Sequence, residues 1–208
     1  MKEHNDLILE LPDFVPESFC KHLIYKFERD EDKRDGIIIQ GDNVIIDKKL
    51  KNSVELELRS SKWRLEDTKI CEYVKSASEL YTSVLTNEYS YDQPMHTFAP
   101  LLSVVKKFGV HDLGYAIQKQ KKGAQYKWHF DQESGILDSY LFGILYLNTL
   151  SEDEGGCTEF INGRKIRPEC GKMLLSPANW TYAHCGNEVK SDSKYILTFM
   201  IYIGKSNT

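Results

Sequence analysis

No apolar run in this 208-residue chain approaches the roughly 20 residues that cross a bilayer as a helix, so no membrane-spanning segment is expected. Met1-Lys2-Glu3-His4-Asn5-Asp6 lacks the basic start and apolar core of a signal peptide. Cysteine is sparse: Cys20, Cys71, Cys157, Cys170 and Cys185 are odd in number, scattered, and never spaced as CxxC. That pattern excludes a readable disulfide framework and favours reduced thiols, so a cytoplasmic setting is expected. An excess of positive charge is missing too. Lys and Arg total 27 against 31 Asp and Glu, a net charge of −4 that offers no global attraction to nucleic acid or an anionic membrane. Two small basic clusters, Lys119-Lys121-Lys122 and Arg164-Lys165-Arg167, read as solvated strand ends and turns. Internal repeats, low-complexity tracts and long linkers are absent, and the length suits one domain with a sizeable core.

What is present divides in two. Pro16-Glu17-Ser18 opens a helix predicted over 17–28, with Phe19, Leu23, Ile24 and Phe27 on one face. The charged run 29–35 reads as loop, and the weak alternation of 36–58 predicts short strands. Over 67–87, Ile70, Tyr73, Val74, Ala77, Leu80, Tyr81, Val84 and Leu85 follow helical spacing, a packing stripe with no assigned chemistry. The stretches 29–62 and 87–112 carry no readable motif. Beyond about Gly109 the pattern changes to strands: 114–120, 126–131, 140–148, 158–161, 172–176, 180–184 and 194–203. Turn-rich pieces such as Glu154-Gly155-Gly156 separate them. Many short strands at this spacing predict an antiparallel sandwich or barrel, with the helical half against its outside.

Chemistry concentrates in Tyr126-Lys127-Trp128-His129-Phe130-Asp131. On a strand, residues two apart point the same way with Cα atoms about 6.6 Å apart, so His129 and Asp131 can converge on one ion while Trp128 and Phe130 pack on the other face. By itself His-x-Asp is a common spacing, and a lone histidine is more often structural than a ligand. His184, supplied from a distant strand, would complete the two-histidine, one-carboxylate face that holds a non-haem ferrous ion and leaves coordination positions open. Lys194 heads an alternating strand with Ile196, Thr198, Met200 and Tyr202 on one face and Tyr195, Leu197, Phe199 and Ile201 on the other. This lysine is either the exposed end of that strand or a buried ammonium that requires an anion, and a small dicarboxylate would serve. Trp128, Trp180 and Tyr182 are either pocket aromatics or ordinary sheet core.

The ordered motifs are Gly123-Ala124-Gln125-Tyr126, His129-Phe130-Asp131, Leu145-Tyr146-Leu147-Asn148, Gly155-Gly156-Cys157-Thr158-Glu159-Phe160, Pro168, Gly171-Lys172, His184-Cys185-Gly186, Val189 and Lys194-Tyr195. With them the chain resembles the Fe(II)- and 2-oxoglutarate-dependent dioxygenase superfamily, prolyl 4-hydroxylase-like branch, over about residues 113–203. More loosely, Leu11-Pro12-Asp13-Phe14-Val15-Pro16 and Cys20-Lys21-His22-Leu23-Ile24 resemble that branch's opening strand and first helix. The resemblance implies an α+β, mainly β fold: a double-stranded β-helix, or jelly roll, flanked by N-terminal helices. One domain would span 1–208, with 1–110 as helical support and outer strands and 111–204 as the catalytic core.

The resemblance also implies His129, Asp131 and His184 as iron ligands. Lys194 would pair with the distal carboxylate of 2-oxoglutarate, and Thr158 and Tyr126 are candidates for the cofactor pocket, either of which could equally be a core strand residue. The implied reaction is hydroxylation of a C–H bond, of a peptidyl residue such as proline, with 2-oxoglutarate decarboxylated to succinate, dioxygen consumed and ascorbate as reductant. A peptide or protein substrate is the corresponding partner. Asp131 favours hydroxylation, since related halogenases replace this carboxylate. The chain departs from the branch at Gln120, where a tyrosine is usual, at Glu188 and Asp192, where proline and glycine are frequent, and at Met200, a frequent tryptophan. Other readings keep the same chemistry on a free amino acid, small metabolite or nucleobase, retain the barrel as a non-catalytic binding module, or place a zinc hydrolase on it.

Overall fold

The apolar face near the N-terminus becomes a helix in the computed structural model, which describes residues 6–40, 43–88, 98–131 and 139–204. After β1 (Leu9–Leu11), α1 spans Glu17–Arg29, with Glu17 in its first turn and Lys26 and Arg29 in its last, charges that suit the helix dipole. It buries Cys20, Leu23 and Phe27. Four short strands follow: β2 (Arg34–Asp35), β3 (Ile38–Gln40), β4 (Asn43–Ile45) and β5 (Val54–Glu57). The charged run 29–35 is therefore not all loop, because Arg34–Asp35 pairs with Val54 and Glu55.

Helix α2 (Arg64–Glu88) buries Ile70, Val74, Ala77, Tyr81 and Leu85, whereas Leu80 of the same sequence stripe faces solvent. A third helix, α3 (Ala99–Phe108), lies where the sequence offered no motif. Its boundaries are nonetheless chemical: Pro100 in its first turn, and Gly109 at its end with φ +77° and its N–H donating to the Val105 carbonyl. No helix among the described residues is long and apolar enough to cross a membrane.

Eight strands complete the chain: β6 (Val110–Lys121), β7 (Tyr126–His129), β8 (Ser139–Tyr146), β9 (Thr158–Phe160), β10 (Lys165–Ile166), β11 (Met173–Pro177), β12 (His184–Gly186) and β13 (Ser193–Ile203). They divide between two antiparallel sheets. The larger has the order β1-β11-β8-β13-β6-β5-β2, the smaller β10-β9-β12-β7, and β3-β4 forms a separate hairpin. The predicted strand over 180–184 is corrected. Trp180–Tyr182 forms a tight turn, held by Asn179 Oδ1 accepting from the Thr181 N–H at 3.1 Å, and the strand begins only at His184.

The alternation of β8 and β13 separates two cores. Leu141, Leu145, Leu197, Phe199 and Ile201 pack with α1 and α2 in the larger one. Phe142, Ile144, Tyr146 and Ile196 point the other way, meeting Phe160 of the small sheet in the second. Gly143 is required where β8 passes Phe199, since a Cβ there would lie 2.1 Å from the ring. Arg164 is not a solvated end: it pairs with Asp6 at 2.5 Å and Glu10 at 2.8 Å, tying the first strand to the small sheet.

Leu197→Ala, in the larger core, should cost about 2–5 kcal/mol. Leu80→Ala, in the same chain's sequence stripe but exposed, should stay within about 0.5 kcal/mol. Urea denaturation of the two variants checks both values.

Candidate metal centre and cosubstrate pocket

Antiparallel pairing of β7 with β12 sets His129 directly opposite His184. Their rings are 4.4 Å apart between centroids. Asp131 follows just past the end of β7, with Oδ1 3.8 Å from His129 Nε2 and Oδ2 3.4 Å from His184 Nε2. One ligand atom from each of the three residues lies within 4.8 Å of the others, close enough for a single cation to touch all three.

The unused ring nitrogens are fixed as well. His129 Nδ1 is 2.8 Å from the Lys127 carbonyl oxygen and His184 Nδ1 is 3.1 Å from that of Tyr182. With each Nδ1–H donating to a carbonyl, each Nε2 lone pair is left facing Asp131. Burial pushes the His129 pKa down to about 4, against the pull of Asp131 and helped by His184. The imidazole is therefore neutral near pH 7, the form that ligates metals. Phe142 stacks on His184 at 4.4 Å and Tyr126 on His129 at 3.6 Å, so each imidazole is braced by one aromatic face.

The expectation that Trp128 and Phe130 pack behind these ligands is not met; they are 52% and 50% exposed. Strand β7 is an edge of the small sheet, and its pairing with β12 shifts register between His184 and Gly186. Among the described residues no layer covers the outer side, and Asp131 reaches the centre from just past the end of the strand. Trp180, 69% exposed, is likewise no pocket aromatic.

A cavity of about 290 Å³ runs between the sheets, lined by the triad together with Tyr126, Thr158 and Lys194 among others. Lys194 points inward and is 1% exposed, which excludes the exposed-end reading. Among the described residues its ammonium makes no ion pair or hydrogen bond, and its nearest described aromatic face is Tyr146 at 5.7 Å. Burial pulls its pKa down to about 8. A buried ammonium without a counter-charge is costly, and a carboxylate ligand removes that cost. Gly156, at φ +70°, lets the loop before β9 close on the lysine stem: a Cβ there would lie 3.3 Å from Lys194 Cδ.

Gln120 is the cross-strand partner of Lys194, 2% exposed, and its Oε1 has no hydrogen-bond partner among the described residues. Thr158 Oγ1 accepts from the Tyr146 hydroxyl at 2.7 Å, so its own proton remains available to a ligand. A cationic, donor-bearing end and a His-Asp-His end within one cavity fit a dicarboxylate bridging toward a metal. Tyr146 was visible only as part of a motif, and its role as partner to Thr158 follows from the inward face of β8.

Comparison with known proteins agrees with this chemistry. Residues 114–202 match the family model described as the 2OG-Fe(II) oxygenase superfamily. Over that segment the chain resembles the core of a 2OG-Fe(II) oxygenase. Among curated proteins no relative is found by sequence. Among solved structures, a prolyl hydroxylase from Trichoplax adhaerens, in complex with a hypoxia inducible factor peptide fragment, superposes with a TM-score of 0.69 at 13% identity, covering 96% of this chain and 84% of that one. A Pseudomonas putida prolyl-4-hydroxylase gives 0.66 at 13% identity, covering 97% and 94%. A viral collagen prolyl hydroxylase from Paramecium Bursaria Chlorella virus-1, complexed with 2OG, gives 0.62 at 16% identity, covering 96% and 97%. The fold is thus the double-stranded β-helix of these oxygenases, and the family match over 114–202 together with the His-Asp-His face supports a 2-oxoglutarate-dependent dioxygenase using iron.

His129→Ala, Asp131→Ala and His184→Ala should each abolish stoichiometric binding of Co(II), used as a spectroscopic stand-in for Fe(II). Visible absorption titration of wild type and variants measures this.

Proposed function

We propose that this oxygenase hydroxylates a C–H bond of a peptidyl residue, proline foremost, with His129, Asp131 and His184 as the Fe(II) ligands. Lys194 supplies the counter-charge for the distal carboxylate of 2-oxoglutarate. The observation that carries this reading is the pairing, in one cavity, of a His-Asp-His face with a buried lysine that has no anion of its own among the described residues.

When bound, the iron and cosubstrate supply dioxygen activation coupled to decarboxylation of 2-oxoglutarate to succinate. The protein contributes placement. His129, Asp131 and His184 would hold the iron. Lys194 and the Thr158 hydroxyl would hold the far carboxylate of the cosubstrate. Phe142 and Ile196 keep that part of the cavity apolar and exclude water.

The substrate would enter from the other end. Arg59, Leu113 and Met200 line the cavity there, and Met200 is six residues along β13 from Lys194, roughly 20 Å. The volume lies at the small end of ligand pockets, which span about 300–1,000 Å³, and suits the cosubstrate plus one inserted side chain. The peptide bound to the Trichoplax relative favours the same substrate class.

Purified protein with Fe(II), ascorbate, 2-oxoglutarate and proline-containing peptides should form succinate and peptides heavier by one oxygen, both read by mass spectrometry. Turnover of free amino acids or nucleobases but of no peptide would overturn the substrate class. The ammonium of Lys194 is present below about pH 8 and lost above it. For wild type, kcat/KM for 2-oxoglutarate should therefore fall above pH 8, while Lys194→Arg, charged throughout, should remove that descending limb. Lys194→Ala should raise KM for 2-oxoglutarate by about 100-fold, the loss of a charge-assisted bond of roughly 3 kcal/mol.

A further inference from the structure

Lys51 is a buried cation that the reaction does not use. It borders the cavity on the segment between β4 and β5, and its three ammonium protons have three acceptors. Glu55 Oε1 is at 2.7 Å, the Ile37 carbonyl oxygen at 3.2 Å, and the Tyr126 ring face at 5.0 Å. Glu55 is fixed in turn by the Ser53 hydroxyl, which donates to Oε1 at 2.8 Å. On its other side, Tyr126 stacks with His129 at 3.6 Å, the planes 17° apart. Backbone contacts make the arrangement local: Lys51 bridges Tyr126, the Asn52 N–H donates to the Gln125 carbonyl, and the Lys127 N–H donates to that of Leu50.

The geometry points to Lys51 as a positioning residue for the metal centre: paired with Glu55, it presses the Tyr126 ring onto His129 and holds that imidazole in its ligating orientation. This rests on His129 being an iron ligand. The Nδ1–H bond to Lys127 fixes the tautomer and one edge of the ring, but a single hydrogen bond leaves the ring free to tilt about it. A fixed aromatic face removes that freedom. An electron-rich ring also suits an imidazole made electron-poor by a metal, and an ammonium over the opposite face is held by the same quadrupole. Glu55 balances the charge of Lys51 within the pair.

Removing Lys51 alone would strand a buried carboxylate, so both charges are removed together in Lys51→Met/Glu55→Gln. Co(II) titration of the purified full chain, followed by visible absorption, should show affinity reduced about tenfold. Tyr126→Phe should bind as wild type, and Tyr126→Leu should lose about as much as the double variant. Adding Lys51→Met/Glu55→Gln to Tyr126→Leu should cost little more, because both act through one ring. A purely structural ion pair would instead lower the denaturation midpoint and leave the Co(II) affinity of the folded protein unchanged, which would overturn the inference. Additive losses would overturn it as well. Should the double variant not fold, equal affinities of Tyr126→Leu and Tyr126→Phe would do the same. Failure of the underlying iron reading looks different: wild type takes up no Co(II), or His129→Ala takes up as much as wild type, and the inference falls with it.

Discussion

The register between β7 and β12 is the constraint on which the site depends. It puts His129 opposite His184 across two neighbouring strands and leaves Asp131, just past the strand end, to close the triangle. A slip of one residue would turn every side chain of the strand to the other face. If β7 slipped, the His129 imidazole would then leave the cavity, while His184 would stay registered to β9. The surrounding contacts can be understood as defending that register: carbonyls of Lys127 and Tyr182 fix the tautomers, and Phe142 and Tyr126 brace the ring faces.

Around this centre, buried charge is distributed in two ways. Lys51 is paired within the protein with Glu55. Lys194 has no such partner among the described residues and contributes an open positive charge instead. An ammonium that is fully satisfied has nothing left to offer a ligand, while one left without an anion gains most when an anion arrives. The same side-chain type thus sits paired at one side of the cavity and without an anion among the described residues at the other.

Much of this was legible in the residues. The strand of β13 announced its two faces by strict alternation, and the structure distributes those faces between two cores as the pattern requires. Helices α1 and α2 were readable because their apolar spacing extends over several turns. Helix α3 was not: it is short, and Pro100 and Gly109 mark only its ends. The exposure of Trp128 and Phe130 was also hidden, since alternation tells which residues share a side and not whether another layer covers it. Lys51 and Glu55 gave no signal at all, because a lysine and a glutamate four apart outside a helix resemble any solvated pair.

The sequence by itself determined the chemistry available: which side chains can ligate iron, which cation can meet a dicarboxylate, and that the C-terminal half must fold as many short strands. These follow from residue type and local periodicity, which need no knowledge of distant contacts. Only the tertiary structure decided that His184 faces His129, that Lys194 is buried without an anionic partner among the described residues, and that Tyr126 meets both Lys51 and His129. Each of those depends on strands far apart in the chain meeting in one register, and it is the packing of the whole barrel that selects it.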